Sequence, residues 1–144
     1  MPYHGSGYVT KALIGLNGYV FLEVAAGPVG VHRDALAYGL VPAVVLGDPT
    51  QQWYRIVTSM FLHGSVAHVL GNMRFLWVFG PALEARPRSL AFALLYVVAG
   101  VSGGLAQALF LPASAEPFVG ASAAIAGVLG VSKRTRGPWP RSAG

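Results

Sequence analysis

The chain has 144 residues, of which 54% are hydrophobic and 10% charged, with a formal net charge of +5 and no cysteine. A water-exposed globular domain carries about a quarter charged residues, so that class is excluded, and without a thiol so are disulfides, thiolate nucleophiles and cysteine zinc sites. The basic residues stand at the edges of apolar runs, where they act as topology signals and not as a nucleic-acid surface.

A bilayer span takes about 20 predominantly apolar residues, and these runs are continuous where a barrel strand would alternate. The expected fold is therefore an all-α polytopic membrane helical bundle of about four spans. No cofactor, metal or nucleic-acid partner is expected; the bilayer is the expected surrounding.

The first expected span is 9–26. Lys11 and Glu23 lie near enough to its ends to snorkel, and it has no small-x-small cleavage site, so it reads as retained and not as a removed signal. Residues 27–60 follow as a long loop that is partly interfacial. Its apolar piece, Leu36 to Leu46, is interrupted by Pro42 and is too short to span. Trp53-Tyr54-Arg55 is an aromatic and cationic cluster suited to the headgroup level.

The second expected span, 61–83, carries His63, His68, Asn72 and Arg74. Polar groups at such depth are costly unless they face an interior, which makes each a candidate for function; Arg74 near the middle costs about 2.5 to 3.5 kcal/mol on insertion scales. His68 and Asn72 are four apart and share a helix face. His63, five residues earlier, falls about 140° away on a helix and is assigned to a different contact. Glu84 to Arg88 is a charged turn in which Pro87 stops the helix.

The third span, 89–111, holds Gly100 and Gly104 in a GxxxG arrangement read as helix packing. The last apolar run, 118–131, covers roughly 20 Å of a ~30 Å hydrocarbon core. Residues 132–144 form a basic tail, expected to be disordered or a frameshift product, so that 1–131 is read as a partial membrane domain. Arg86 and Arg88 between spans two and three, and the basic residues after span four, place both termini in the cytoplasm of a plasma-membrane protein. Arg33 and Arg55 then fall outside, against the rule.

In this orientation His68 and Ser122 lie at similar depth below the outer surface. A hydroxyl, an imidazole and a carboxamide converging there make a layout for acyl transfer, a nucleophile with donors for an oxyanion. At this point the chain resembles the rhomboid family of intramembrane serine proteases. Trp53-Tyr54-Arg55 is similar to that family's tryptophan-arginine loop motif, His63 through Asn72 to its second-helix motif, Gly80 to Glu84 to the close of that helix, and Gly120-Ala121-Ser122 with Gly127 to its fourth-helix motif.

The resemblance implies six spans in the whole family fold and cleavage of transmembrane protein substrates. It makes Ser122 the nucleophile within the motif begun by Gly120, with His68, Asn72 and the Ser122 N–H as oxyanion donors. Arg55, His63 and Glu84 would hold the loop and helix ends that shape the site.

The chain departs from the pattern in one decisive way. The family's general base is a histidine on a sixth helix, and the histidines here are His4, His32, His63 and His68, none after Ser122. Recruiting His68 as base would vacate its oxyanion role. The expectation is a C-terminally truncated rhomboid-type serine endopeptidase, inactive as it stands; the alternative is a pseudoprotease that binds transmembrane helices without cutting them. Ala123 stands where the family has glycine, which is expected to crowd a tight helix contact.

Overall fold

The computed structural model describes residues 7–85 and 89–135. Among them the chain is all-helical, with helices α1 (Tyr8–Ala26), α2 (Gly30–Tyr38), α3 (Pro42–Gly47), α4 (Pro49–Gln52), α5 (Tyr54–Thr58), α6 (Val66–Glu84), α7 (Ser89–Phe110) and α8 (Ser122–Thr135). The basic turn residues Arg86 and Arg88, His4, and the tail from 136 lie outside the described residues.

Of the four expected spans, α1 and α7 are long and apolar enough to cross a membrane by length and composition. The other two runs differ from their expected bounds. Phe61 to Ser65 precede α6 and are not helical; Ser65 is the N-cap, its side chain accepting a hydrogen bond from the His68 N–H, the role short hydroxyl residues fill best. Phe118 to Ala121 likewise precede α8, because their backbone groups are paired elsewhere: Phe118 exchanges two hydrogen bonds with Leu40, and the Gly120 N–H donates to the Ser59 carbonyl at 2.8 Å. At the other end α8 runs on through Thr135, so residues 132–135 of the expected tail are helical.

The loop 27–60 is built of four short helices. Pro42, expected as an interruption, opens α3 in its first turn, where a missing N–H costs nothing and the fixed φ suits a helix start. Pro49 does the same for α4, and the Asp48 side chain caps that helix by accepting from the Gln51 N–H.

Two contacts hold the long helices together. At one end α1 starts at Gly7 with no capping side chain of its own. Glu84, the last residue of α6, reaches across and accepts hydrogen bonds from the Val9 and Thr10 N–H groups, from the Thr10 hydroxyl and from the Ser89 hydroxyl at the start of α7. A buried carboxylate thereby satisfies otherwise orphaned first-turn donors and meets the positive end of a helix dipole. One turn earlier, Gly80 leaves the space that the Thr10 side chain fills.

The other contact is between α7 and α8. A Cβ on Gly103 would lie 2.5 Å from the Ala123 methyl, and one on Gly127 would collide with Ala99. Each helix thus offers a notch to an alanine of the other, and the crowding expected from Ala123 is absorbed by Gly103. The GxxxG pair does something else: Gly100 makes room for Met60, and Gly104 faces Leu40 and Ile56. It therefore seats the loop, with its short helix α5, against α7 and does not bring two of the long helices together. The buried core between these elements includes Leu76, Phe92, Tyr96, Ala124, Ile125 and Val128.

Candidate active site

Ser122 is the first residue of α8 and His68 lies in the first turn of α6, and the fold brings their side chains together, with His68 Nε2 3.4 Å from Ser122 Oγ. What permits the approach is Gly120. Its φ of 120° lies in the region that L side chains rarely adopt, and a Cβ there would stand 2.6 Å from His68 Cε1 and Nε2. The imidazole therefore rests on the bare face of the glycine, beside the serine.

The segment carrying Gly120 is held by long-range backbone hydrogen bonds, to Leu40 through Phe118 and to Ser59 through Gly120 itself. Beside Ser122 a cavity of about 270 Å³ opens, lined by His68 and Gly120 and by Leu40, Met60, Gln107 and Phe118 among others. The serine side chain is exposed, while Ala121 and Ala124 around it are buried.

Asn72 and His63 are arranged differently from the expectation. Within a helix His63 would point away from His68 and Asn72. Because it precedes α6, the chain folds it back onto both: Asn72 Nδ2 lies 3.0 Å from His63 Nε2, and the His63 and His68 rings meet edge to face with centroids 5.0 Å apart. An amide nitrogen can only donate, so Asn72 gives one N–H to His63 Nε2 and keeps the other.

His63 is buried, and burial brings its pKa from the ordinary 6.5 to about 4; the neighbouring His68 acts in the same direction and the Phe61 carbonyl opposes it. The unfolded chain thus binds a proton near pH 6.5 that the folded chain refuses until about pH 4, so acid favours unfolding across that window. The stability of the detergent-solubilised protein is expected to be level above about pH 7 and to fall by up to about 1.4 kcal/mol per pH unit between 6.5 and 4. Thermal melts against pH check this; an identical pH dependence in His63→Asn would assign the effect to another group.

Arg55 does not enter the cavity. Its Nε donates to the Gln52 side chain and its Nη1 to the Leu36 and Gly39 carbonyls, so it closes the C-terminus of α2, where a cation meets the negative end of the helix. That local task gives Arg55 a use that does not depend on topology. Glu84 sits at the far end of α6 from Ser122, in the helix-end contact described above. Gly127 belongs to the α7 contact and not to the cavity.

Two features of the site were not anticipated. Gln107 lines the cavity, and a glutamine within an apolar run is a signal that the rule used for His68 and Asn72 would also have picked out. Ser59 contributes through its backbone carbonyl, for which a sequence carries no mark.

Among known proteins, the family model described as Rhomboid domain matches residues 50–135. Rhomboid protease GluP of Bacillus subtilis (strain 168) is 40% identical over 79 residues, 55% of this chain and 15% of that protein. Putative rhomboid protease YdcA of the same organism is 32% identical over 113 residues, 78% of this chain and 54% of that protein. Inactive rhomboid protein 2 of Homo sapiens is 35% identical over 101 residues, 70% of this chain and 12% of that protein. The chain thus spans about half or less of the length of these relatives, and no solved structure matches it. The matched region takes in the loop cluster at Arg55, His63 before α6, His68 and Asn72 of α6 and the serine of α8, and on that footing the chain belongs to the rhomboid family.

Proposed function

We propose that Ser122 is the nucleophile of a rhomboid-type serine endopeptidase site acting on transmembrane protein substrates, and that these 144 residues hold its nucleophile and oxyanion half. In this reading α1, α6, α7 and α8 cross the plasma membrane with both termini cytoplasmic. The observation that carries the proposal is the meeting of His68 and Ser122 over Gly120.

A peptide carbonyl entering the cavity is attacked by Ser122 Oγ, and negative charge gathers on its oxygen. Three donors suit that oxygen. The Ser122 N–H is one of the unpaired donors of the first turn of α8 and points with the positive end of its dipole; His68 supplies Nε2–H, and Asn72 the N–H that His63 leaves free. Loss of one such donor costs about 3 to 4 kcal/mol of transition-state stabilisation. The serine proton needs a base, since a hydroxyl is weakly nucleophilic without one, and a His68 that donates to the oxyanion does not also accept that proton.

A second reading has its own support. Among the described residues His68 is the one histidine placed on Ser122, and in this reading it serves the oxyanion, which suits a rhomboid-like protein that holds transmembrane helices without cleaving them. The two part in one experiment on the purified 144-residue chain. A serine-directed fluorophosphonate is expected to leave Ser122 unlabelled and a rhomboid-type substrate uncut, whereas added imidazole, an external base, restores labelling that disappears in Ser122→Ala. Silence with imidazole favours the binding reading; labelling without it would make His68 the base.

A further inference from the structure

Arg74 takes no part in the site or in the packing. On a helix His68 and Asn72 lie roughly 120° to 160° round from it, so the catalytic face of α6 and the face bearing Arg74 look in nearly opposite directions. Around Arg74 stand Leu70 at 62%, Trp77 at 66% and Val78 at 56% exposure, and a Cβ on Gly71 would meet nothing within 4 Å. No ion pair to Arg74 forms among the described residues, and Glu84, on the same helix, is taken up by α1 and Ser89.

With α6 spanning Val66–Glu84, Arg74 is about 12 Å from one end and about 15 Å from the other at 1.5 Å per residue. An arginine side chain climbs little more than one helical turn, about 5.4 Å, so its guanidinium reaches neither headgroup layer along the helix. An apolar face with one fixed cation at mid-depth is complementary to an apolar helix with one carboxylate at mid-depth. Arginine also suits a carboxylate better than a point charge does, because its planar fork pairs with both oxygens.

We infer that the Leu70, Arg74, Trp77 and Val78 face of α6 is a lateral docking surface for a transmembrane helix of a partner protein carrying Asp or Glu near the bilayer centre. Gly71, next to Arg74 on this face, lets such a helix approach closely. The inference rests on the reading of α6 as a bilayer span. The chain's own acids do not fit as well: Glu23 of α1 stands near the end of its helix, and Asp34, Asp48 and Glu116 lie outside the long helices.

The test uses the 144-residue chain in phosphatidylcholine vesicles holding a minor fraction of phosphatidylglycerol, and single-span leucine-rich host helices with Asp, Asn or Leu at the central position, association being read by energy transfer between labels. The Asp helix is expected to associate about tenfold more tightly than the Leu helix, Arg74→Lys to retain only part of that preference and Arg74→Leu to abolish it. Equal association of the three hosts, or a preference that survives Arg74→Leu, overturns the inference. So does Arg74-dependent enrichment of phosphatidylglycerol without a gain from Asp, which would give the charge to lipid. Self-association that disappears in Glu23→Gln, giving the face to a second copy, overturns it too.

Because the chain has no cysteine, Arg74→Cys serves as a depth probe, expected to be shielded from a membrane-impermeant maleimide. Modification there would remove the span reading and the docking surface together. Shielding without an Asp preference would remove the docking surface alone.

Discussion

Glu84→Ala is expected to lower the stability of the detergent-solubilised chain by at least about 3 kcal/mol, a large part of what a domain of this size possesses. The carboxylate accepts four hydrogen bonds at distances of 2.6 to 3.1 Å and is almost wholly buried. Hydrogen bonds to a charged group contribute about 1.5 to 3 kcal/mol each, and deleting the acceptor strands buried donors at about 1 to 3 kcal/mol apiece. These figures do not add, since one carboxylate serves all four donors, but even the smallest combination exceeds an ordinary surface change. Three helix ends would lose their common partner at once.

Glu84→Gln keeps an accepting oxygen and replaces the other by a donor facing donors, so it is expected to fall between wild type and alanine. Equilibrium unfolding of the three proteins in one detergent checks the order. A wild-type-like Glu84→Ala would mean that water replaces the carboxylate at the end of α1, and the shared helix cap would have to be abandoned.

The second large effect is expected at Gly120→Ala. The new methyl must enter the space that the His68 ring occupies, 2.6 Å from two of its atoms, at a φ of 120°. Strain of that kind costs about 1 to 3 kcal/mol, and the imidazole has to leave Ser122. Selectively labelled histidine gives the readout: the His68 ring resonances are expected to move to those of Ser122→Ala or beyond, while His63, behind it, shifts less. The Gly120 N–H bond to Ser59 is expected to weaken as the segment relaxes, seen as faster amide exchange at that position. Unchanged ring resonances would show that the histidine does not rest on the glycine. Ala123→Gly, one residue beyond the serine, is the control, since it removes a methyl from the α7 contact without touching the ring.

Much of this was legible in the residues. An excess of apolar over charged residues makes helices in a bilayer the economical solution, because only helices and closed barrels satisfy every backbone group without water. Polar residues in apolar runs marked α6, and His68 with Asn72 four residues on needed only helix geometry to be set on one side. The order and direction expected of the spans put His68 and Ser122 at similar depth, and the contact between them comes from the tertiary structure.

His63 shows where such reasoning stops. Its expected direction used 100° per residue, which holds only within a helix, and Ser65 begins α6 after His63 and frees it to fold back onto Asn72 and His68. Gly100 and Gly104 show the same limit: small residues four apart announce a close approach but not what approaches, and here it is Met60, Leu40 and Ile56 from the loop. Pro42 stands inside an apolar run, where proline interrupts a helix, and yet opens α3, because helix position, not residue type alone, sets its effect.

By itself, then, the sequence determined the helical membrane class, the order of the elements and the presence of a serine, a histidine and an asparagine within apolar runs, since all of these depend on local composition and spacing. Only the tertiary structure decided that Gly120 seats the imidazole, that Asn72 shares its amide with His63, and that Glu84 joins three helix ends. Those are contacts between residues far apart in the chain, and their geometry is set by how helices pack, which no local pattern specifies.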